Sequence, residues 1–269
     1  MTAPQLDLDG LALDRRLVDT HLAALLPPLP RSPAPQVREA MRYAVLGPGR
    51  RIRPLLALRV ARMLDAPTAP TLRAAAAVEL LHCASLIVDD LPCMDDDPLR
   101  RNRPSVHIAF GEANAILAAF GLVSLAARSA IDRNARPGDC ARLLDFQFHL
   151  LSTLDCASLI GGQSLDLALS HEARNRNRAR LAALKTVPLF ELSVRAGAAF
   201  ADLSPAEQTS LLDFGAGLGI AYQMRDVHLD GEVPTSLTAA NRFARACASL
   251  APFGPRAQPL RDLVEYLVS

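Results

Sequence analysis

Residues 71–104 read TLRAAAAVELLHCASLIVDDLPCMDDDPLRRNRP, and this stretch decides the fold. Its first part, residues 71–90, is rich in alanine and nearly apolar around its circumference, which predicts a helix buried on most sides. The rest of the chain repeats apolar residues at three-and-four spacing, whereas the alternating, β-branched and aromatic runs typical of strands are scarce. The sequence therefore predicts an all-α fold packed around this helix.

The periodicity divides the chain into about ten helices, which we expect to form a single-domain bundle over residues 1–269. This length suits one large domain, and the chain contains no repeat or low-complexity tract. An N-terminal helix and a Pro-rich linker occupy residues 1–34. The predicted helices cover residues 11–26, 37–46, 54–64, 71–90, 112–131, 140–169, 180–201, 205–230, 237–251 and 261–268.

The composition excludes several classes of protein. With 29 Lys and Arg against 28 Asp and Glu, the net charge of +1 predicts no nucleic-acid or membrane-surface partner. The longest uncharged apolar run, residues 113–127, is too short to span a membrane, and no leader for export opens the sequence. The five cysteines are odd in number and form no CxxC pair, which predicts buried thiols in the reducing cytoplasm.

An acidic cluster at the end of the central helix carries the strongest chemical signal. Five carboxylates within nine residues repel one another, and acids are unfavourable at a helix C-terminus, so they need positive charge. Mg²⁺ binds carboxylates while keeping sites for water and phosphate, and arginines such as Arg100 and Arg101 suit the same phosphates. A solvated loop balanced by arginines is the alternative, but it accounts poorly for so many acids. The cluster comprises Asp89, Asp90, Asp95, Asp96 and Asp97.

His82 and Ser85 lie on the same predicted helix face as Asp89. His82 is two turns away, or about 10 Å, so it could meet a second anionic group beside the metal site. A hydrogen-bonded core histidine is the alternative interpretation.

Other polar elements extend this site. Gln223, Asp226 and Asp230 share one helix face, where two carboxylates could complete a metal cage, although solvated helices often show this spacing. Gly161 and Gly162, before Gln163, allow two helices to approach closely. Lys185, followed by Thr186, is the only lysine among 29 cationic residues and supplies a compact charge for phosphate oxygens.

Two arginine-rich segments could also bind anions. Arg50, Arg51 and Arg53 follow a Gly-Pro-Gly turn that opens a helix, where backbone N–H groups and guanidinium groups together favour an anion. An exposed basic turn explains them equally well. Four arginines at every second position in residues 174–180 do not share one helix face, so we expect a solvated loop there, with an anion patch as the alternative.

These motifs, in this order, resemble the trans-isoprenyl diphosphate synthases, also called polyprenyl synthetases, and especially the bacterial geranylgeranyl diphosphate synthases. The resemblance covers residues 37–230; HCASLIVDDLPCMDDDPLRRNRPSVH is its most specific part, supported by GPGRRIRP, GGQSLDL and KT. It implies the isoprenoid synthase fold, with helices around a central cavity, and a homodimer. It also implies Mg²⁺-dependent, head-to-tail condensation of isopentenyl diphosphate with an allylic diphosphate.

The resemblance assigns roles by position. Asp89, Asp90 and Asp95 would hold Mg²⁺ on the allylic diphosphate, and Asp226, with Asp230, would serve the third ion. The other residues expected at the allylic diphosphate are Arg100, Gln163, Lys185 and Gln223. Those expected to bind isopentenyl diphosphate are Arg50, Arg53, His82 and Arg101, and Arg51, Thr186 and Tyr222 join the candidate substrate-binding residues.

Product length is expected to depend on the floor beneath Asp89. Ala84 and Ser85 are small where relatives with shorter products often carry an aromatic residue, which predicts a C20 product.

The chain departs from the family pattern in its second half. Val227 replaces the middle acid of the second aspartate motif, residues 231–238 contain no cation, and the C-terminal region, residues 231–269, is short. Phe120 stands where an aspartate is common. Two functions therefore remain open: an active prenyltransferase, or a weak homologue that acts as a binding or regulatory subunit. A terpene cyclase is a third interpretation, but such an enzyme has no use for the Arg50 to Arg53 cluster.

Overall fold

The computed structural model describes residues 7–28, 31–132, 135–229 and 236–268, without the side chains of residues 171, 175, 225–229 and 236–240. The structure confirms the all-α prediction, since the strands within these residues form one two-residue antiparallel pair, Leu99–Arg100 with Arg103–Pro104. In chain order the elements are α1 (Leu8–Leu25), α2 (Pro35–Leu46), α3 (Ile52–Met63), α4 (Thr68–Asp89), β1 (Leu99–Arg100), β2 (Arg103–Pro104), α5 (Val106–Phe110), α6 (Glu112–Ser129), α7 (Pro137–Ser152), α8 (Leu159–Ala168), α9 (His171–Arg176), α10 (Arg178–Lys185), α11 (Val187–Ala198), α12 (Pro205–Leu229), α13 (Ser236–Ala248), a 3₁₀ helix (Ala251–Ala257) and α14 (Gln258–Val268).

The predicted helix over residues 140–169 is divided in two. A turn separates α7 from α8, where the Asp155 carboxylate accepts the N–H of Ala157 and the N–H of Leu159 bonds back to the carbonyl of Thr153. The predicted helix over residues 180–201 is likewise divided between α10 and α11. Pro188 has no N–H for the preceding turn, and it stands in the first turn of α11, where that N–H is not needed.

The prediction of a solvated loop over residues 174–180 is wrong. The side chain of Ser170 accepts the N–H of Ala173 and caps α9. Within that helix, Arg176 pairs with Glu172 one turn earlier, at 2.6 Å. Local capping and side-chain pairing therefore form a short helix, and α10 follows it.

Helix α4 lies at the centre of the main core. Its alanines, Ala74 to Ala77, are at most 3% exposed, and their small side chains let neighbouring helices pack closely. The facing side of α6 is similar, with Ala115, Ala118 and Leu122 in the same buried cluster. Close packing against the neighbouring helices therefore fixes the end of α4, where the acidic cluster begins.

Helix α3 joins this core to a second apolar cluster. Leu58 packs with α4, whereas Leu55 and Leu56 pack with α12 and the C-terminal helices. At the contact with α11, a Cβ on Gly197 would lie 2.3 Å from the carbonyl oxygen of Ala57, so only glycine permits this approach.

Helix α1 is attached to α3 by buried ion pairs. Asp14 and Arg59 are each 1% exposed and lie 2.9 Å apart, and Arg62 pairs with the same carboxylate. Asp7 caps α1 through Gly10 and pairs with Arg59 at 2.7 Å. The N-terminal helix is thus part of the packed structure.

By length and composition, one helix in the described residues, α4, could cross a membrane, but 67% of its apolar window is buried inside the fold. A central helix of a helical bundle has these properties.

The prediction of buried thiols is correct for Cys83 alone. Cys93 and Cys156 lie in turns and Cys140 lies in the first turns of α7, all exposed, and Cys247 is half-buried. All five cysteines are free.

Candidate active site

The end of α4 brings two of the acids together. Helix α4 ends at Asp89, and the following turn folds back so that the N–H of Asp95 donates to the carbonyl of Asp89 at 3.0 Å. Asp96 follows in the left-handed region, with φ of 51°, and its N–H bonds to Leu91. The turn therefore sets Asp95 beside the helix end that carries Asp89.

The charges around Asp95 favour a cation. Desolvation and then the negative charge of Asp89 raise the pKa of Asp95, against the opposing charge of Lys185. A divalent cation between Asp89 and Asp95 would relieve this repulsion, so these carboxylates fit Mg²⁺. No group of three or more acidic, His or Cys side chains suited to a metal occurs within the described residues. Such an ion would therefore keep positions for water and phosphate oxygens, as Mg²⁺ commonly does.

Unlike Asp89 and Asp95, Asp90 is not available to a metal ion. Its carboxylate is 2% exposed and accepts hydrogen bonds from Arg100, one of them from Nε at 2.8 Å. Arg100 also pairs with Asp97 at 3.1 Å. The structure thus separates Asp90, expected as a metal ligand, from Asp89 and Asp95, because an uncompensated charge at this depth would be costly. Asp90 instead orients Arg100.

Lys185 connects α10 to the acidic helix end. Its Nζ lies 2.6 Å from Asp166 of α8 and 3.5 Å from Asp89. Gly162 explains why α8 and α10 come so close, because a Cβ there would lie 2.7 Å from Leu184 and 2.9 Å from Lys185. The Gly-Gly-Gln motif and the lone lysine therefore belong to one site.

Thr186 and Gln163 complete this side. The Thr186 hydroxyl donates to Gln223 of α12 at 2.7 Å, which brings α12 beside the end of α10. Nε2 of Gln163 is buried and has no hydrogen-bond partner within the described residues. It is therefore an available donor, and its residue follows Gly162, which packs against Lys185.

The side chain of Arg51, in the basic turn, is buried and forms ion pairs and hydrogen bonds within the protein. Its side chain is 4% exposed and lies 2.9 Å from Glu79 and 2.8 Å from Asp19. It also donates to the carbonyls of Val45 and Gly47. The structure does not bring Arg51, an expected substrate-binding residue, to the site, because these acceptors occupy its guanidinium.

Arg53 faces His82 instead. Its Nη1 lies 3.0 Å from Nε2 of His82, and its guanidinium lies 5.2 Å from the centre of the Phe190 ring. Burial and the charges of Arg53 and Arg101 hold the pKa of His82 well below its usual value. A neutral His82 therefore accepts the hydrogen bond from Arg53, since arginine only donates.

Two more arginines surround the Gly-Pro-Gly turn. Arg101 donates to the carbonyl of Pro48 at 2.9 Å, and Arg103 stacks 3.9 Å from the centre of the Tyr43 ring. Arg50 is exposed beside them. A small cavity of about 40 Å³ lies between this turn and α4. Positive groups therefore gather near His82, and the acids begin two helical turns farther along α4.

Comparison with known proteins identifies the family. Residues 34–236 match the sequence model described as polyprenyl synthetase. The chain belongs to the polyprenyl synthetase family. Relatives include the mitochondrial geranylgeranyl pyrophosphate synthase 10 of Arabidopsis thaliana, which is 34% identical over 205 residues, covering 74% of this chain and 59% of that protein. The farnesyl diphosphate synthase of Geobacillus stearothermophilus is 36% identical over 224 residues, covering 81% and 73%.

Solved structures agree with this polyprenyl synthetase assignment. The apo crystal structure of an FPP/GFPP synthase from Zymomonas mobilis superimposes with a TM-score of 0.86 at 31% identity, covering 97% of this chain and 98% of that one. The chain spans about three fifths of the length of two Arabidopsis synthases that it matches, at 59% and 61%. The fold that the sequence motifs implied is thus confirmed.

Two small residues precede Asp89 on α4, at the positions expected to set the product length of this polyprenyl synthetase. Ala84 is 2% exposed and packs in the main core. Ser85 is half-buried, and its hydroxyl bonds to the carbonyl of His82 in its own helix at 2.8 Å. Both positions therefore present little side-chain bulk.

The second aspartate motif is described only in part. The backbone of α12 includes Asp226, whose side chain is not described, and Asp230 lies outside the described residues. The Tyr222 ring lies 5.6 Å from that of Phe190, next to Arg53. Helix α12 thus adjoins both halves of the site through Tyr222 and Gln223.

Two residues of this cluster were not among the candidate site residues expected from the sequence. Asp166 lies three residues after Gln163, and it is the acid that pairs with Lys185. Arg174 pairs with Asp166 through Nε at 3.1 Å. Asp166 could have been found from its place on the glycine-pair helix, one turn from Gln163. Arg174 belongs to the run of arginines for which an anion patch was the alternative to the expected solvated loop.

Proposed function

We propose that this polyprenyl synthetase family member is a Mg²⁺-dependent trans-prenyltransferase. It condenses isopentenyl diphosphate with an allylic diphosphate, head to tail, to give a short-chain trans-prenyl diphosphate of the geranylgeranyl or farnesyl type. The observation that carries the proposal is that one helix, α4, connects an acidic group with a basic group. Asp89 and Asp95 form the acidic group, and His82 with Arg53 forms the basic group. His82 and Asp89 are seven residues, or about 10 Å, apart along α4.

The acidic group is suited to the allylic diphosphate. Asp89 and Asp95 would hold Mg²⁺, and Asp226 and Asp230 would serve a further ion, for a total of three ions. When bound, Mg²⁺ neutralises the diphosphate and stabilises its departure. Lys185, together with the polar side chains of Arg100, Gln163, Thr186 and Gln223, would bind the remaining phosphate oxygens.

The basic group is suited to isopentenyl diphosphate. Arg50, Arg53 and Arg101 supply guanidinium groups, and neutral His82 holds Arg53 in place. Tyr222 of α12 lies beside Phe190, next to Arg53. An anion bound here needs no metal, because arginine forks match its oxygens.

The reaction follows from this arrangement. The C–O bond of the allylic diphosphate breaks, and the electron pair leaves with the diphosphate. The double bond of isopentenyl diphosphate attacks the allylic cation to form the new C–C bond, and a proton is then lost to the released diphosphate. The protein contributes charge stabilisation and exclusion of water, so it needs no nucleophile of its own.

Geranylgeranyl diphosphate is the product that we propose. Ala84 and Ser85 place little side-chain bulk on α4 before Asp89, which is what a long prenyl chain would require there. The related proteins carry names for both product lengths, geranylgeranyl and farnesyl, so this part of the proposal depends on the two small residues.

We propose a homodimer formed through α6 and α7. Ile116, Leu117 and Phe120 of α6 are 41%, 54% and 71% exposed. On α7, Leu144 and Phe148 are 71% and 67% exposed at a spacing of one helical turn. A second copy would cover these apolar stripes. The five free thiols support a cytoplasmic location.

A regulatory or binding subunit is the second candidate. It is favoured by Val227 in the second motif and by the absence of any cation in residues 231–238. A protein of this kind would bind diphosphates with Mg²⁺ without turning them over.

The decisive experiment incubates the purified chain with Mg²⁺, isopentenyl diphosphate and each of the C5, C10 and C15 allylic diphosphates. The proposal expects a dominant C20 product that Asp89→Ala abolishes. Asp96→Asn is the matched control, because this acid lies in the same turn and asparagine tolerates its left-handed backbone conformation. Pyrophosphate binding without product would refute the enzyme and favour the regulatory subunit.

A further inference from the structure

Arg174 contacts Asp166, which Lys185 links to the acidic group, and the proposed function gives its segment no role. Its Nε donates to the main-chain oxygen of Asp166 at 2.9 Å and lies 3.1 Å from Oδ1 of the same residue. The side chain is 40% exposed. Arg174 therefore lies at the surface of the site, with one edge of its guanidinium fixed.

A chain of contacts joins Arg174 to the expected metal ligands. Asp166 pairs with Lys185 at 2.6 Å, and Lys185 lies 3.5 Å from Asp89. The positive charge of Arg174 also lowers the pKa of Asp95, in opposition to the acids around it. Arg174 and Lys185 are therefore two cations that act on the same carboxylates.

The free edge of Arg174 remains open to a ligand. Within the part of the chain that the structure describes, no hydrogen bond uses its two terminal nitrogens. The Ser170 cap fixes the start of α9, so the position of Arg174 is set by local structure. Arg176, two residues later, differs from Arg174. Its Nη1, a terminal nitrogen, pairs with Glu172 at 2.6 Å, and its side chain is 66% exposed.

The excess of carboxylates over cations at this site indicates what Arg174 could bind. Asp89, Asp95 and Asp166 outnumber Lys185 and Arg174, and residues 231–238 supply no further cation. When a divalent ion occupies Asp89 and Asp95, Lys185 and the terminal nitrogens of Arg174 can bind the oxygens of an incoming diphosphate. A guanidinium fork with two unused nitrogens matches those oxygens better than an ammonium group does.

We propose that Arg174 is a substrate-binding residue whose terminal nitrogens bind the diphosphate held at Asp89 and Asp95, while Asp166 orients the guanidinium. This inference deepens the proposed function and rests on it. It adds a cation from α9 to a site whose other cations are Lys185 of α10 and Arg100 of β1.

The test measures binding of inorganic pyrophosphate by calorimetry, with and without Mg²⁺, to the full chain and to Arg174→Ala, Arg174→Lys and Arg176→Ala. Loss of a charge-assisted contact predicts a roughly 10- to 100-fold weaker affinity for Arg174→Ala with Mg²⁺. Arg174→Lys is expected to fall between, because it keeps the charge and loses the fork. Arg176→Ala should bind like the full chain.

Kinetics distinguish binding from a structural role. Arg174→Ala should raise the KM for the allylic diphosphate and leave the KM for isopentenyl diphosphate unchanged. Unchanged pyrophosphate affinity in Arg174→Ala, or an equal loss in Arg176→Ala, would overturn the inference. Loss of thermal stability with normal pyrophosphate affinity would also overturn it, since Arg174 would then only support α9.

The proposed function can fail separately. A chain that binds pyrophosphate but forms no prenyl product refutes the transferase, and the pyrophosphate affinities still decide the role of Arg174. Normal turnover by Arg174→Ala with unchanged KM values refutes the inference alone. A full chain that binds no pyrophosphate in the presence of Mg²⁺ refutes both.

Discussion

Arg51→Gln should destabilise the protein far more than it weakens substrate binding. Arg51 and Glu79 lie 2.9 Å apart with side chains 4% and 2% exposed, so the substitution leaves a buried carboxylate without its cation. Breaking a buried pair from one side costs about 3–5 kcal/mol in the free energy of unfolding. The pair with Asp19 adds little, because that side chain is 44% exposed.

The main-chain acceptors add to this cost. Arg51 donates to Val45 at 2.7 Å and to Gly47 at 3.1 Å, and an unsatisfied buried carbonyl costs about 1–3 kcal/mol. These losses are not additive, because the turn can relax around a smaller side chain. We therefore expect about 3–5 kcal/mol in total, which corresponds to a fall in Tm of roughly 6–20 °C.

The assay combines thermal unfolding with steady-state kinetics. Arg50→Gln is the matched control, because Arg50 is exposed on the same turn and should change stability by less than about 0.5 kcal/mol. The double variant with Glu79→Gln should lose less stability than the two single variants together, because no unpaired charge remains. The reasoning would be refuted if Arg51→Gln kept the Tm of the full chain and instead raised the KM for isopentenyl diphosphate tenfold.

Three further predictions concern other parts of the site and surface. The pKa of His82 is well below 6.5 in the fold, so stability should fall as pH drops below that value, by up to about 1.4 kcal/mol per pH unit. Unfolding at pH 5–7 should show a shallower slope for His82→Gln, which still accepts from Arg53; equal slopes would contradict the assignment. Phe120→Arg should convert the dimer to monomer in light scattering, whereas Leu13→Arg, at a position 47% exposed on α1, should not; a monomeric full chain would contradict the dimer. Ala84→Phe should shorten the product from C20 towards C15, measured by chromatography of the dephosphorylated products, and a folded variant that still makes C20 would disprove the role of that position.

Much of the fold could be predicted because helical periodicity is a local property. The apolar circumference of residues 71–90 predicted the central helix, and the structure has α4 over Thr68–Asp89. Boundaries were less accurate where a single residue breaks a continuous apolar pattern, as Pro188 does at the start of α11. The short helix α9 was missed because its cap, Ser170, lies outside the apolar pattern and acts through one side-chain hydrogen bond.

Part of the chemistry of the site could also be predicted from the sequence. Crowded carboxylates after a buried helix need a cation in any surroundings. In the structure, the lone Lys185 lies beside Asp89, and Gly162 packs against Lys185. These signals depend on residue type and on spacing within one helix, which the chain order already contains.

Which charges remain available to a ligand depends on residues far apart in the chain. Arg51 lies 28 residues from Glu79, and Arg100 lies ten residues from Asp90, so spacing within one helix could not reveal either pair. Adjacent residues consequently take opposite roles: Asp90 is neutralised inside the protein whereas Asp89 meets Lys185, and Arg51 is enclosed whereas Arg50 is exposed. The amino-acid order supplies the charged groups, but packing determines which of them must be paired internally, because a buried charge without a partner is too costly to keep.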